Sequence, residues 1–117
     1  MADSLAELRE AVAAFVAERD WAQFHTPKNL AMGVAIEAAE LMEHFLWTPE
    51  TESGAPTAER RAQIEQEMGD VLIYLVRLSR VLDVDLVAAA SAKLAQNRVK
   101  YPVEKARGRA TKYLDLE

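Results

Sequence analysis

Two pairs of acidic residues, each set into an otherwise apolar helical pattern, constrain this 117-residue chain more than any other feature. Glu37 and Glu40 are three residues apart, and so are Glu67 and Asp70. On a helix this spacing places both carboxylates of a pair on one face, about one turn apart. Two such helices packed face to face would bring four carboxylates together, which is costly without a counter-charge.

Capping signals divide the chain into four predicted helices. Ser4, Thr26 and Thr57 are each placed to cap a helix, with Pro27 at the first helical position of the second. The predicted helices cover about 5–20, 27–47, 58–82 and 86–100, and a tail follows at about 101–117. No segment shows the alternation of a strand, and no repeat is visible. We therefore expect an all-α chain forming a single domain, residues 1–117.

Composition excludes several classes of partner and compartment. The formal net charge of −5 provides no general basic field, so we expect no nucleic-acid duplex as partner. No apolar run is long enough to span a bilayer, so we expect no membrane association. The first residues are acidic and amphipathic, unlike a signal peptide. The absence of cysteine excludes disulfides and thiolate metal sites and fits a cytoplasmic protein.

The four acidic side chains predict a site for a hard divalent cation. Glu37 lies inside the apolar stripe of the second helix, where leucine would be expected, and this weakens the alternative of two solvated acidic faces. Carboxylates alone suit Mg²⁺, or Mn²⁺, better than zinc or iron. Di-iron bundles use Glu-x-x-His motifs, and neither His25 nor His44 follows a glutamate at that spacing.

A second group of polar residues lies on the fourth helix. Lys93, Asn97 and Lys100 continue a face that begins with the apolar residues Leu86 and Ala90. A basic helix end that complements the helix dipole is the alternative, and it would explain Lys100 alone. We favour a phosphate-binding face, because a core helix rarely spends its inward stripe on two lysines.

Aromatic residues form a third group, at helix ends. Trp21 and Trp47 lie beside loops and could stack on a planar base. Phe24 is expected in the core, whereas His25, taken alone, is more typical of a cap or a surface position. Gly33, in mid-helix, is expected to permit a close approach by another segment or a ligand. On the third helix we expect a broad buried face made of Ile64, Met68, Val71, Leu72, Leu75, Leu78 and Leu82.

Four stretches, taken together, resemble the MazG-related all-α nucleotide pyrophosphatases. They are ERDWAQFHTPKNLAMGVAIEAAELMEHFLW, QEMGDVLIYLVRLS, KLAQNRVKYPVEKARG and KYLDL, in the order of the family's motifs. The likeness covers about residues 15–116 and is strongest to the small, single-domain dCTP pyrophosphatase type. One departure is Gln66, where relatives often carry another acid.

The resemblance implies a four-helix bundle that hydrolyses a nucleoside triphosphate, dCTP or a modified dCTP, to the monophosphate and pyrophosphate in nucleotide-pool house-cleaning. It implies that Glu37, Glu40, Glu67 and Asp70 are Mg²⁺ ligands and catalytic residues. It implies a base pocket made of Trp21, His25, Trp47 and Tyr74. It also implies triphosphate or sugar contacts from Lys93, Asn97, Lys100 and Tyr101, with Arg19 and Lys28 as less secure phosphate contacts.

Members of the family assemble as dimers or tetramers, so the resemblance implies a homo-oligomer, and a small alanine-rich bundle gains burial by self-association. A carboxylate of the cluster would take a proton from water, with Glu40 as the candidate. Two alternatives to an enzyme are a helical interaction module and a protein that binds nucleotide without cleaving it.

Overall fold

The described chain is built from helices, as the sequence predicts. The structure, a computed structural model, describes residues 4–117, so the first three residues of the predicted domain lie outside it. The helices are α1 (Leu5–Glu18), α2 (Pro27–Glu43), α3 (Ala58–Val81), α4 (Leu86–Lys100) and the short α5 (Val103–Ala106). Single 3-10 turns lie at Ala22–Phe24, Glu50–Glu52 and Tyr113–Asp115, and residues 4–117 contain no strand.

Side-chain caps begin the four long helices at the predicted places. Ser4, Thr26, Thr57 and Asp85 each accept a hydrogen bond from the backbone N–H three residues later, at 2.9–3.2 Å. The end of α2 differs from the prediction, because the helix stops at Glu43 rather than near Trp47. Overlapping turns continue through Leu46, whose N–H donates to the carbonyl of Glu43. Neither Gly nor Pro marks this stop before Pro49.

The chain divides into two compact units, the first ending at Asp83 and the second running from Val84 to Glu117. In the first unit α2 and α1 both pack against α3. Its small core consists of Val12, Val16, Leu30, Ile64 and Val76. The predicted close approach at Gly33 is confirmed. A Cβ there would lie 2.4 Å from Cε1 of Tyr74, so only glycine lets the Tyr74 ring of α3 reach the α2 backbone.

Two predictions about burial are wrong. The predicted buried face of α3 is buried only at Ile64, whereas Met68, Leu72, Leu75 and Leu82 are exposed. Phe24, expected in the core, is 59% exposed in its short 3-10 turn. The physical reason is the same in both cases. An apolar pattern identifies the face of a helix that avoids water, but the described chain supplies too few elements to cover that face.

The second unit consists of α4, α5 and the last 3-10 turn. The Tyr101 and Tyr113 rings meet edge to face at 5.9 Å, and the Lys100 ammonium lies 4.7 Å from the centre of the Tyr113 ring. The predicted tail at about 101–117 contains the short α5 and the last 3-10 turn, with non-helical residues between them. Among the described residues, no helix has the length and apolar content needed to cross a bilayer.

Candidate metal centre

The two acidic pairs lie on the two helices that pack together in the first unit. Glu37 and Glu40 belong to α2, and Glu67 and Asp70 belong to α3. One carboxylate oxygen from each of Glu37, Glu67 and Asp70 lies within 4.8 Å of the other two. The helical spacing of each pair and the packing of α2 on α3 thus bring three of the four predicted ligands to a common point.

Crowding of these acids perturbs Glu37 most. Several causes together raise the pKa of Glu37 to about 7: burial contributes most, followed by a side-chain hydrogen bond with Glu40. The negative charges of Glu40, Asp70 and Glu67 act in the same direction. A carboxyl that holds its proton near neutral pH has lost solvation and lies among other acids. A cation bound there would instead lower the pKa of Glu37.

Two carboxylate oxygens in the cluster are buried and lack any hydrogen-bond partner, namely Oε2 of Glu37 and Oε2 of Glu67. Buried polar atoms normally have partners, so these two oxygens are available to a cation. Mg²⁺ takes oxygen ligands at about 2.0–2.1 Å, so oxygens bound to one ion lie roughly 3–4 Å apart. The cluster therefore suits a hard divalent cation in donor chemistry, and its oxygens, within 4.8 Å of one another, would come only slightly closer on binding.

Glu40 stands beside this group rather than within it. Its carboxyl interacts with Glu37, but the three oxygens that converge belong to the other acids. Glu40 is half-buried, at the border of the α2 stripe. This position leaves its carboxylate less committed to a cation than those of Glu37 and Glu67.

The predicted base-pocket residues occupy different environments in the first unit. Trp47 is 90% exposed in the turns that follow α2, and its indole is free of covering side chains. Trp21 packs edge to face on Phe15 at 5.6 Å and is also exposed. Tyr74 lies against Gly33, as described above. An exposed indole can stack on a base without displacing core contacts.

His25 is tied to α3 by Arg77, whose Nε donates to Nδ1 of His25 at 3.1 Å. Burial lowers the pKa of His25, and the positive charge of Arg77 lowers it further. The imidazole is therefore neutral at pH 7, with Nδ1 as acceptor and the hydrogen on Nε2. Burial, together with the charge of Arg80, also lowers the pKa of Arg77.

The predicted phosphate-binding residues all lie in the second unit. Lys93 is exposed on α4, and Asn97 and Lys100 are partly exposed. Lys100 contacts the Tyr113 ring, and Tyr101 caps the C-terminus of α4 with its N–H donating to the carbonyl of Asn97 at 2.8 Å. Tyr113, which the sequence pattern did not single out, packs against two members of this group, Lys100 and Tyr101.

Sequence reasoning missed a pair of residues beside the acids, His44 and Arg60. Nη1 of Arg60 lies 3.1 Å from Nδ1 of His44, and Nε2 of His44 lies 3.6 Å from Oε1 of Glu67. A signal was present, because Arg60 precedes Glu67 by seven residues and so shares its face of α3. The loop that brings the end of α2 to the start of α3 has no comparable signal.

A cavity of about 230 Å³ lies in that loop. His44, Glu52, Thr57 and Arg60 are among its lining residues. None of the predicted site residues lines it. Among the described residues, the candidate metal centre is therefore a meeting of two helix faces and not part of this cavity.

Comparison with known proteins gives concordant results. The MazG-like family matches residues 33–116. The chain is 46% identical to dCTP pyrophosphatase 1 of Mus musculus over 115 residues, which cover 97% of this chain and 68% of the mouse protein. It is 42% identical to dCTP pyrophosphatase 1 of Homo sapiens with the same coverage.

A solved structure agrees with these relatives. The crystal structure of a pyrophosphatase from Archaeoglobus fulgidus matches with a TM-score of 0.80 and 38% identity. The match covers 87% of this chain and 95% of the archaeal chain. The predicted fold class, an all-α four-helix bundle, is confirmed.

Proposed function

Since this chain belongs to the MazG-like family, we propose that it is a hydrolase that converts dCTP, or a modified dCTP, to the monophosphate and pyrophosphate. The observation that carries the proposal is the convergence of Glu37, Glu67 and Asp70 with two orphan oxygens. Relatives of this chain at 42–46% identity are dCTP pyrophosphatases, which supports the substrate class. A role in nucleotide-pool house-cleaning follows from such an activity.

The cation we propose is Mg²⁺, with Mn²⁺ as a substitute, held by Glu37, Glu67 and Asp70 with Glu40 beside them. When bound, it supplies positive charge against the phosphate oxygens and makes water more acidic. Four carboxylates with no counter-charge would repel a polyanionic substrate, so the protein alone cannot bring a triphosphate to this point. The acids therefore act by holding the cation and, in one case, by taking a proton.

Glu40 is the proposed general base. Hydrolysis between the α- and β-phosphates requires removal of a proton from the attacking water, which a nearby carboxylate can accept. Glu37, Glu67 and Asp70 converge and would hold the cation, whereas Glu40 lies outside that convergence. The proton can thus pass to the Glu40 carboxylate, and the leaving pyrophosphate departs with its charge balanced by cationic groups.

The base and the phosphates would be held by separate groups of residues. Trp21, Trp47 and Tyr74 offer aromatic faces, and neutral His25 offers an Nε2–H donor to an acceptor on the base. Lys93, Asn97, Lys100 and Tyr101 would hold the triphosphate or the sugar by charge and hydrogen bonding. Residues 1–117 would act as a single MazG-like domain.

Self-association is part of the proposal. Met32 and Ile36 on α2 and Met68 on α3 are each more than half exposed, an apolar surface that a second copy of the chain could cover. We propose a homo-oligomer, a dimer or tetramer, acting in the cytoplasm on free nucleotide and not on a duplex or a membrane. Light scattering of the full chain at several concentrations measures the number of subunits.

A substrate panel tests the activity. Common and modified deoxynucleoside and ribonucleoside triphosphates are incubated with the protein and Mg²⁺, and pyrophosphate and monophosphate are measured. We expect the highest kcat/KM for dCTP or a modified dCTP, and equal amounts of the two products. Binding of dCTP without release of pyrophosphate would instead identify a nucleotide-binding protein, and no binding would identify an interaction module.

A further inference from the structure

A line of polar contacts runs from the first turn of α3 to the acidic cluster. Arg60 contacts His44 at 3.1 Å, and His44 contacts Glu67 at 3.6 Å. His44 is the C-terminal cap of α2, so the line joins the end of α2 to two positions on α3. The side chains of His44 and Glu67 are only 18% and 20% exposed, so little solvent competes with their contact.

The chemistry of the guanidinium group assigns the tautomer of His44. Arginine has only N–H donors, so Nδ1 of His44 must accept from Arg60. In the neutral ring the hydrogen is then on Nε2, the nitrogen that faces Oε1 of Glu67. Arg60 therefore turns the N–H of His44 toward the carboxylate.

The two oxygens of Glu67 have different surroundings as a result. Oε1 faces the imidazole N–H, whereas Oε2 is buried without a hydrogen-bond partner. Glu67 is one of the three acids whose oxygens converge. At 3.6 Å the imidazole N–H attracts one oxygen without a normal hydrogen bond, which favours one orientation of the carboxylate and leaves the other oxygen for a cation.

We propose that His44, oriented by Arg60, is a positioning residue that holds the Glu67 carboxylate ready for the divalent cation. The inference rests on the proposed function, because it assigns Glu67 to the cation site. Groups that orient a metal ligand are typically worth roughly 10- to 100-fold in metal affinity or activity. The His44 contact is longer than a normal hydrogen bond, so we expect an effect of about 10-fold.

The alternative is that Arg60 and His44 only tie the loop between α2 and α3 to the helices. That role predicts a lower melting temperature and an unchanged affinity for Mg²⁺. The positioning role predicts a weaker Mg²⁺ affinity in a protein that is still folded. Calorimetric titration of Mg²⁺ alone into the metal-free full chain separates the two, because it requires no turnover.

The variants are His44→Leu, His44→Gln, Arg60→Met and the control Arg61→Gln. Leucine removes the N–H, and glutamine restores a donor near the place of Nε2. Methionine removes the donor that orients the ring. Arg61→Gln removes the same charge one residue away, where Arg61 pairs with the exposed Glu65 at 3.3 Å and does not contact His44.

We expect His44→Leu to raise the Mg²⁺ dissociation constant about 10-fold, and the Mg²⁺ concentration for half-maximal pyrophosphate release by a similar factor. Arg60→Met should act in the same direction by a smaller factor. His44→Gln should recover most of the affinity, and Arg61→Gln should match the wild type. Far-UV circular dichroism confirms that each variant is folded.

A wild-type Mg²⁺ constant in folded His44→Leu overturns the proposal. Should the leucine variant fail to fold, a wild-type constant in Arg60→Met overturns it equally. These outcomes are distinct from failure of the proposed function. Weaker Mg²⁺ binding in His44→Leu without cleavage of any triphosphate by the wild type would support the positioning role while refuting the hydrolase.

Discussion

The acidic cluster of the first unit and the basic face of α4 were predicted from the same kind of pattern, yet they differ physically. Glu37, Glu67 and Asp70 converge from two helices, and two of their oxygens are buried without partners. Lys93 and Lys100 belong to one helix, Lys93 is exposed, and Lys100 already contacts the Tyr113 ring. The acids are crowded and partly buried, whereas the lysines are solvated at little cost.

This difference shows which kind of charge pattern indicates a site. Charged residues spaced along a single helix are solvated at little cost and complement the helix dipole. Burial, with a hydrogen bond to Glu40 and the like charges brought together by two helices, raises the pKa of Glu37 and makes its charged form unfavourable. A group in that state is one that a cation would stabilise, and the α4 face has no equivalent group.

The largest expected effect is loss of turnover when an acid of the cluster is neutralised. Glu40→Gln or Asp70→Asn should lower kcat/KM for dCTP by about 1,000-fold or more, because each removes a base or a cation ligand. Helix content should stay unchanged. Pyrophosphate release at saturating Mg²⁺ and far-UV circular dichroism measure the two effects.

The matched control for this loss is Glu65→Gln. Glu65 is two residues before Glu67 on α3, but it is exposed and pairs with Arg61. Its loss should change activity less than about twofold, as expected for a surface ion pair. Near-normal turnover in Glu40→Gln or Asp70→Asn would refute the assignment of that acid to the site.

A smaller effect is expected for the basic face. Lys93→Ala or Lys100→Ala should raise KM for dCTP about 10-fold or more, with less change in kcat, because a charge-assisted contact to a phosphate is lost. Arg98→Ala, which removes an equal charge on the same helix, serves as control. Equal KM values for Lys93→Ala, Lys100→Ala and the control would contradict phosphate binding by the lysines. The lysines would then only complement the helix dipole.

The packing that brings the acids together can be weakened at Gly33. A Cβ at this position would lie 2.4 Å from the Tyr74 ring, so Gly33→Ala must shift α2 or the ring. Overpacking of this kind costs about 1–3 kcal/mol, offset by up to about 1 kcal/mol of helix propensity. We expect a net decrease of about 1–2 kcal/mol in the free energy of unfolding, measured with urea. Greater stability in Gly33→Ala would show that the contact is not close.

The smallest effect is a pH dependence of stability in the metal-free protein. The folded pKa of Glu37 is about 7, raised from 4.5, so the folded state binds this proton more tightly than the unfolded state does. The stabilisation from Glu37 is complete below about pH 4.5 and is lost as pH rises to about 7. The lowered pKa of His25 has the opposite effect on the pH dependence of stability. The contribution of His25 is lost as pH falls below 6.5.

Comparison with Glu37→Gln isolates the glutamate, since both proteins contain His25. The melting temperature should decrease more between pH 5.5 and pH 8 in the wild type than in the variant. Addition of Mg²⁺ should remove most of the difference, because a bound cation favours the charged carboxylate. Identical pH profiles for the two proteins would contradict the raised pKa of Glu37.

Much of the fold could be predicted from the sequence, because its signals are local. Capping residues such as Thr26 and Thr57 placed three helix starts, and the acids interrupting apolar stripes placed the site on α2 and α3. The extent of burial could not be predicted. It depends on what covers each face, and Phe24 and Met68 proved exposed for that reason.

The link from Arg60 through His44 to Glu67 could not be predicted either. It depends on how the turns after Glu43 direct the chain back toward α3, and no Gly or Pro marks where α2 stops. Contacts that depend on the path of a loop follow no fixed spacing in the sequence. Glu37 and Glu40, by contrast, share one helix and are three residues apart. The convergence of the acids was therefore predictable, and the contacts that support them were not.

The most direct test of the cation site is a calorimetric titration of Mg²⁺ into the metal-free wild type and into metal-free Glu67→Gln. Glu67 contributes both an orphan oxygen and one of the converging ligand atoms. We predict saturable binding of Mg²⁺ to the wild type and to the control Glu65→Gln, and its loss in Glu67→Gln. No binding to the wild type, or equal binding to Glu67→Gln, would contradict the account.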